Sequence, residues 1–189
     1  MTADGAPGGD GAVVFTDIVD FTRYNAERGD DAAVALLEQQ SALVRALLPD
    51  CARVVKELGD GLMLWIPDAP AAVETCLALQ ARIGAASVTF GGDEPDAVEV
   101  RVGAHWGSPR RRGDDLVGNA VNLAARIVDL AGAGEVLVSD ALLVAAGDVA
   151  ALKAQADELG PVFVKGVPDP VALYRLEPVQ PAPISRPGA

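Results

Sequence analysis

The fold is indicated most clearly by the stretch Ala52-Arg-Val-Val-Lys-Glu-Leu-Gly-Asp-Gly-Leu-Met-Leu-Trp-Ile66. It contains two short apolar runs, 52–58 and 62–66, separated by Gly59-Asp60-Gly61. An Asp flanked by glycines is a typical reversal between antiparallel strands, because glycine accepts the backbone angles of a tight turn. The pattern therefore predicts a β-hairpin with Asp60 at its tip.

The segment before the hairpin predicts one strand and one long helix. Residues 12–19 form an apolar run that indicates a buried strand. Apolar residues then recur at helical spacing over 33–47 and make a single stripe, and Pro49 ends the helix.

The segment after the hairpin predicts a helix over 70–83 and a strand over 98–106. A further helix is expected to present Val117, Val121, Ala124 and Val128 on one face, after a polar loop. The remaining predictions are short strands over 135–138, 162–165 and 170–176, and a helix around 140–146.

This order of elements predicts an α+β fold. Strand, helix, hairpin, helix and strand in succession are typical of a ferredoxin-like βαββαβ core, here with a C-terminal strand extension. We expect the helices to cover one face of a mostly antiparallel sheet. Residues 12–177 form one predicted domain, between a disordered Gly- and Pro-rich tail over 1–11 and a disordered Pro-rich tail over 178–189.

Composition excludes several classes of partner. The 189 residues carry 27 acidic and 15 basic side chains, a net charge of −12, which argues against nucleic acid and anionic membranes as partners. No apolar run is long enough to cross a bilayer and no secretory signal begins the chain, so a cytoplasmic location is expected. Cys51 and Cys76 lie in apolar surroundings and are interpreted as buried thiols.

Two acidic residues are candidates for a metal site. Asp17 lies inside an apolar strand, where a carboxylate needs a partner or a cation, although it could also cap the following helix. Asp60 could likewise be an ordinary hairpin residue. In a βαββαβ sheet the end of the first strand lies beside the hairpin tip, so the two carboxylates can meet. Paired carboxylates suit Mg²⁺ or Mn²⁺ completed by phosphates and water.

Three blocks of sequence carry a family resemblance. They are Phe15–Thr22, then Lys56-Glu57-Leu58-Gly59-Asp60-Gly61, then 115–126 with Asp115, Asn122 and Arg126. In this order and spacing they closely resemble the signature blocks of class III nucleotidyl cyclases, over roughly residues 12–176.

The resemblance implies a role for each matching position. Asp17 and Asp60 match the two metal-binding aspartates, with Ile18 beside them, and two Mg²⁺ or Mn²⁺ ions are implied per site. Lys56 and Asp115 match the pair that selects adenine. Catalytic roles are implied for Asn122 and Arg126, which orient the ribose and stabilise phosphate charge. Lys165 matches a basic position that contacts the triphosphate, and substrate binding is also implied for Phe21 and Thr22.

The implied activity is adenylate cyclase, which converts ATP to 3′,5′-cyclic AMP and pyrophosphate. In the family the metal aspartates come from one subunit and the base-reading and Asn/Arg residues from its partner. Since this chain holds both sets, the resemblance implies a homodimer with two shared sites. The regulatory partner stays unknown, and with no sensor module before residue 12 the domain is expected to act alone or under another chain.

Some features depart from the family or lie outside its motifs. Asp20 occupies a position where the family usually has Gly, and its charge could weaken triphosphate binding or cap the next helix. Arg110-Arg111-Arg112 favours a solvated loop, and steering of the nucleotide is the alternative. His105 and the two tryptophans are interpreted as structural, with Trp65 and Trp106 in the core or at a dimer interface. Gly91-Gly92-Asp93-Glu94 resembles a diguanylate cyclase signature, but Pro95 follows it and we interpret it as coincidence.

Two other functions stay open from the sequence. One is a degenerate cyclase domain that binds nucleotide or a partner without turnover, which only Asp20 supports. The other is a guanylyl or diguanylate cyclase that uses GTP.

Overall fold

A computed structural model describes residues 9–85, 98–152 and 154–178, with the side chains of 84 and 85 left aside. The 91–94 motif lies outside these residues, as do 1–8 and 179–189. The two predicted tails therefore remain predictions for nearly all of their length. At the inner ends of the tails, Gly11 begins the first strand and Pro178 ends the last one.

The described residues form nine strands and five α-helices. The strands are β1 (Gly11–Ile18), β2 (Arg53–Leu58), β3 (Gly61–Ile66), β4 (Val100–Gly107), β5 (Arg110–Arg112), β6 (Asp115–Val117), β7 (Val136–Ser139), β8 (Ala154–Val162) and β9 (Val171–Pro178). The helices are α1 (Phe21–Arg28), α2 (Asp30–Leu47), α3 (Ala69–Ala85), α4 (Asn119–Leu130) and α5 (Asp140–Ala146). A short 3₁₀ helix spans Val149–Leu152.

Seven strands form one sheet in the order β2-β3-β1-β4-β7-β9-β8. Its pairs are antiparallel except β4 with β7, which are parallel. Strands β5 and β6 make a separate hairpin. The α+β fold with a mostly antiparallel sheet and a C-terminal strand extension is therefore confirmed.

The helices cover both faces of the sheet, so the expectation that they cover only one face was wrong. Val14 and Leu64 belong to the core under α2, α3 and α5, whereas the neighbouring Val13 and Met63 pack with α4 on the other side. Successive strand residues point to opposite faces. Strand β3 is apolar at every position and is buried throughout, which requires cover on both faces.

Three local predictions are corrected by the structure. The strand predicted over 162–165 ends at Val162 and begins at Ala154, because an edge strand tolerates the Gly160-Pro161 pair and the bulge beside it. The arginine run over 110–112 forms β5 instead of a loop. Val117 ends β6 and does not belong to the face of α4.

The cysteines differ from one another, and the interpretation of both as buried thiols was wrong for Cys51. Cys51 follows the end of α2 in an exposed turn, whereas Cys76 is fully buried on α3. Burial raises the pKa of the Cys76 thiol to about 12, which makes it unreactive. Within the described residues no helix is both long and apolar enough for a membrane crossing.

Candidate active site

Asp17 lies near the end of β1, between two neighbouring strands. On one side it is the register partner of Gly61 at the start of β3, and on the other side of Arg101 on β4. Gly61 is needed here, because a Cβ at this position would lie 2.6 Å from the main-chain oxygen of Thr16. Glycine therefore lets the hairpin end approach Asp17 closely. Asp17 does not cap a helix, since α1 begins only at Phe21.

Arg101 is the side chain that binds Asp17, and it was not predicted from the sequence. Its Nε and Nη2 both donate to Oδ2 of Asp17, at 2.8 Å and 2.5 Å. The pair is largely buried, with the Asp17 side chain 24% exposed. The available signal was the one used for Asp17: a charged residue inside an apolar strand needs an opposite charge nearby.

Asp60 lies at the tip of the β2–β3 hairpin beside Asp17. Partial burial, and then the neighbouring Asp17 carboxylate, raise the pKa of Asp60 above its ordinary value. Its own backbone hydrogen bond and Arg101 act in the opposite direction. The structure thus brings together two carboxylates that repel each other, and a cation between them would relieve that repulsion.

Lys56 and Asp115 form a second group. Nζ of Lys56 on β2 donates to Oδ2 of Asp115 on β6 at 2.7 Å, across 59 residues of sequence. This hydrogen bond is the main reason that the pKa of Asp115 is lowered. Oδ1 of Asp115 accepts from the main-chain N–H of Leu116 at 2.7 Å, which fixes the carboxylate. The Lys56 ammonium, a hydrogen-bond donor, and the Asp115 carboxylate, an acceptor, are therefore held side by side.

A third group lines an open cavity of 530 Å³ beside α4. Asn122 and Arg126, one turn apart on the exposed side of the helix, form part of its wall, as predicted from their i, i+4 spacing. Lys165 contributes from the turn after β8, and His105 from β4. Two cations and an amide in one cavity are suited to hold a phosphorylated ligand.

Neighbouring residues hold two members of this cavity. Arg126 is ion-paired with Asp129, at 3.3 Å between Nη1 and Oδ2. Nδ1 of His105 lies 2.8 Å from the hydroxyl of Ser139, and burial lowers the pKa of His105. These contacts agree with the structural interpretation of His105, although its ring also faces the cavity.

The remaining predicted residues lie at the start of α1. The Ile18 side chain is buried among apolar neighbours, so only its main-chain carbonyl could serve a metal. Phe21 is partly buried in the same cluster, and Thr22 is exposed in the first turn of α1. Asp20 is the N-cap residue of α1 but makes no side-chain capping hydrogen bond. It pairs instead with Arg23 at 3.5 Å on the surface.

Comparison with known families identifies the chain. The family model for the adenylate and guanylate cyclase catalytic domain matches residues 7–178, nearly the whole chain. The chain belongs to this family.

Several curated relatives of this cyclase domain are named adenylate cyclases, at modest identity. The pH-sensitive adenylate cyclase MT1302 of Mycobacterium tuberculosis is 28% identical over 87% of this chain and 40% of its own length. An adenylate cyclase of Streptomyces coelicolor is 31% identical over 92% of this chain and 45% of its own length. The chain spans less than half the length of these relatives.

Solved structures share the fold of the cyclase domain. The adenylyl cyclase CyaB from P. aeruginosa has a TM-score of 0.77 at 25% identity, covering 89% of this chain and 93% of that one. A rhodopsin-guanylyl cyclase core with converted specificity, in complex with ATPαS, has a TM-score of 0.79 at 23% identity, covering 92% and 98%. At this identity, the similarity to the rhodopsin-guanylyl cyclase core shows a shared fold alone.

The donor set of the cyclase domain supplies two carboxylates for a divalent metal. Asp17 and Asp60 offer hard oxygen ligands, and no group of three or more acidic, His or Cys side chains able to hold an ion occurs within the described ranges. Mg²⁺ commonly binds through one or two carboxylates and completes its shell with substrate phosphates and water. The residues present fit such a site.

Proposed function

We propose that this cyclase domain converts ATP to 3′,5′-cyclic AMP and pyrophosphate. The observation that carries the choice of ATP is the Lys56–Asp115 pair, held at 2.7 Å. Lysine only donates hydrogen bonds and an ionised aspartate only accepts them. The adenine edge offers a ring-nitrogen acceptor beside an amino donor and can therefore bind both, whereas guanine presents its carbonyl and amino groups differently.

Asp17 and Asp60 are proposed to hold two Mg²⁺ or Mn²⁺ ions together with the triphosphate. When bound, the metal would favour the nucleophilic form of the ribose 3′ hydroxyl and offset the charge of the leaving pyrophosphate. The 3′ oxygen forms a bond to the α-phosphorus, the bond to the β-phosphate oxygen breaks, and the hydroxyl proton leaves to solvent. The main-chain carbonyl of Ile18 is the only part of that residue available to this site.

The cavity beside α4 is proposed to hold the ribose and phosphates. Asn122 can orient the ribose through its amide, and Arg126 can stabilise charge that develops on the transferring phosphate. Lys165 is exposed and supplies a further cation to the triphosphate. Phe21 and Thr22 lie in the first turn of α1, next to the end of β1, and the N-terminus of a helix can bind phosphate through its main-chain N–H groups.

A homodimer with two shared sites is proposed because of how these groups are arranged. The cavity that contains Asn122 and Arg126 is not lined by Asp17 or Asp60. A second copy of the chain, related by a two-fold axis, would place the carboxylates of one subunit opposite the cavity of the other.

The first experiment is product identification. The purified domain is incubated with ATP or GTP and with Mg²⁺ or Mn²⁺, and products are separated by chromatography. We expect cyclic AMP as the main product, and a rate lower by roughly 100-fold or more in Asp17→Ala. No cyclic nucleotide above the Asp17→Ala background would leave only nucleotide binding, the alternative that Asp20 favours. Cyclic GMP or a dinucleotide as the main product would contradict the assignment of ATP.

The second experiment tests the shared site. Asp17→Ala and Arg126→Ala are each expected to be nearly inactive, because each damages both sites of its own homodimer. After mixing, half of the dimers are mixed and each retains one intact site, so activity should recover to about one quarter of the wild-type value. A mixture as inactive as its components would contradict the shared arrangement.

A further inference from the structure

We propose that Arg101 is a counter-ion of Asp17 that weakens metal binding by Asp17 and Asp60 before the nucleotide arrives. The inference rests on the proposed metal-binding role of Asp17 and Asp60, and it concerns what occupies Asp17 when no metal is bound.

The pairing of β1 with β4 and a contact with the C-terminal end of α4 both hold Arg101 beside Asp17. The two residues are register partners across β1 and β4. The Nη1 of Arg101 reaches the main-chain oxygen of Asp129 near the C-terminal end of α4, at 3.4 Å. The C-terminal end of a helix carries partial negative charge and favours a cation. Arg101 is therefore fixed in place from two sides.

The guanidinium of Arg101 hydrogen-bonds to only one of the two carboxylate oxygens of Asp17. Both of its short hydrogen bonds end on Oδ2. The other oxygen, Oδ1, faces the hairpin, since a Cβ built on Gly61 would lie 3.6 Å from it. A metal ion can therefore approach Oδ1 from the side that carries Asp60, but it meets a fixed positive charge behind Oδ2.

The charges of these residues explain why Arg101 opposes the binding of a metal ion that arrives without nucleotide. Asp17 and Asp60 together supply two negative charges, and Arg101 cancels one of them before any metal binds. A divalent ion arriving alone is repelled by the guanidinium at short range. A triphosphate brings additional negative charge, which restores the attraction. Metal binding should thus depend on the nucleotide.

The test is a titration with Mn²⁺ alone, without nucleotide, followed by the electron paramagnetic resonance signal of free Mn²⁺. Replacing Arg101 with Met removes the charge, and we expect Mn²⁺ to bind about ten-fold more tightly. Arg101→Lys, which keeps the charge, should stay close to wild type. Unchanged or weaker Mn²⁺ binding in Arg101→Met would overturn the proposal and leave Arg101 a purely structural partner.

A matched control comes from the same sheet. Arg175 on β9 donates through Nε to Oε1 of Glu135 at 2.7 Å, its Nη2 lies 2.6 Å from the same oxygen, and the pair is buried to a similar degree. Arg175→Met removes an equivalent ion pair away from Asp17 and should leave Mn²⁺ binding unchanged. If Arg101→Met does not fold, Arg101→Gln keeps a hydrogen-bond donor without the charge and is expected to show the same tightening.

A further variant separates this inference from the proposed function. Asp17→Asn should abolish the Mn²⁺ binding of both the wild-type and the Arg101→Met protein. If Mn²⁺ binds independently of Asp17, the metal role in the proposed function fails together with this inference. If binding depends on Asp17 but Arg101→Met does not tighten it, only the counter-ion role of Arg101 fails.

Discussion

Asp20 is the residue at which the chain departs both from its family pattern and from ordinary backbone geometry. Its φ of 57° and ψ of 27° lie in the left-handed region, and it is the only non-glycine residue with positive φ among the described ranges. This conformation explains why glycine is usual at the position, since a Cβ is strained there. Aspartate tolerates the region better than most residues, which explains how the chain keeps the turn.

We predict that glycine at this position removes both the strain and a negative charge. Asp20→Gly should raise the free energy of unfolding by up to about 1 kcal/mol, whereas Asp20→Ala should lower it by about 1 kcal/mol. Urea unfolding of the three proteins measures this difference. The KM for ATP should also fall in Asp20→Gly, because one negative charge near the phosphates is lost. Equal stability of the Gly and Ala variants would contradict the assigned backbone conformation.

We predict that the ionisation of Asp60 makes the stability of the folded chain depend on pH. Its folded-state pKa is raised above the ordinary value of 3.8, so ionising this carboxyl costs more in the folded chain than in the unfolded chain. The penalty is absent below pH 3.8, grows as the pH rises through the folded-state pKa, and is fully present at neutral pH.

Asp60→Asn should therefore stabilise the metal-free protein at pH 7 by a small amount, on the order of 2 °C in Tm. The stabilisation should shrink as the pH is lowered toward 3.8, and the rise in Tm that Mn²⁺ together with nucleotide gives the wild type should disappear. Thermal unfolding at several pH values measures each effect. Destabilisation by Asn at pH 7 would show that the Asp60 charge is compensated in the folded chain.

At the scale of elements, helix α4 depends on one strand residue for its position. Gly103 on β4 lies directly under the helix, since a Cβ there would be 2.2 Å from the main-chain nitrogen of Val128. Helix and sheet therefore touch backbone to backbone. This close approach determines where Asn122 and Arg126 project.

Gly103→Ala should move α4 away from the sheet. We expect a loss of about 3 kcal/mol in the free energy of unfolding, together with loss of cyclase activity. Gly132→Ala is the matched control, because its Cβ would meet a side chain and not backbone, the Glu135 carboxylate at 3.2 Å, and should cost less than about 1 kcal/mol. Denaturant unfolding and circular dichroism measure both variants. A Gly103→Ala protein of wild-type stability would contradict the close packing.

At the scale of the whole molecule, the proposed shared site makes activity depend on two copies of the chain. The Asp17–Arg101 pair and the Lys56–Asp115 pair lie outside the wall of the cavity that Arg126 helps to form. If activity requires two copies, the rate per mole of protein should fall on dilution below the dimer dissociation constant.

Specific activity measured over a range of protein concentrations, beside sedimentation velocity, tests this expectation. The fall in specific activity should follow the loss of dimer. Full activity from a sedimenting monomer would contradict the shared site.

The sequence by itself determined the elements of the core and the residue types of the site. Apolar periodicity, Pro49 and the Gly59-Asp60-Gly61 turn are local signals, and they placed the hairpin and the central strands within about two residues. The helix predicted over 33–47 begins three residues earlier, at Asp30, and the separate helix α1 was not predicted. The spacing of Asn122 and Arg126 also predicted a shared helix face. Most of edge strand β8 was not predicted, because Gly and Pro weaken the sequence pattern of a strand although an edge strand tolerates them.

Only the tertiary structure decided which charges meet and which faces are covered. Asp17 and Arg101 are 84 residues apart, and their contact depends on the register between β1 and β4. The placement of α4 opposite α2 and α3 depends on a backbone contact at Gly103, and the sequence around that residue does not reveal it. Local patterns fix which elements form, because turns and periodicity act between near neighbours. Strand register and helix docking are set by packing between distant segments, so local sequence patterns do not specify them.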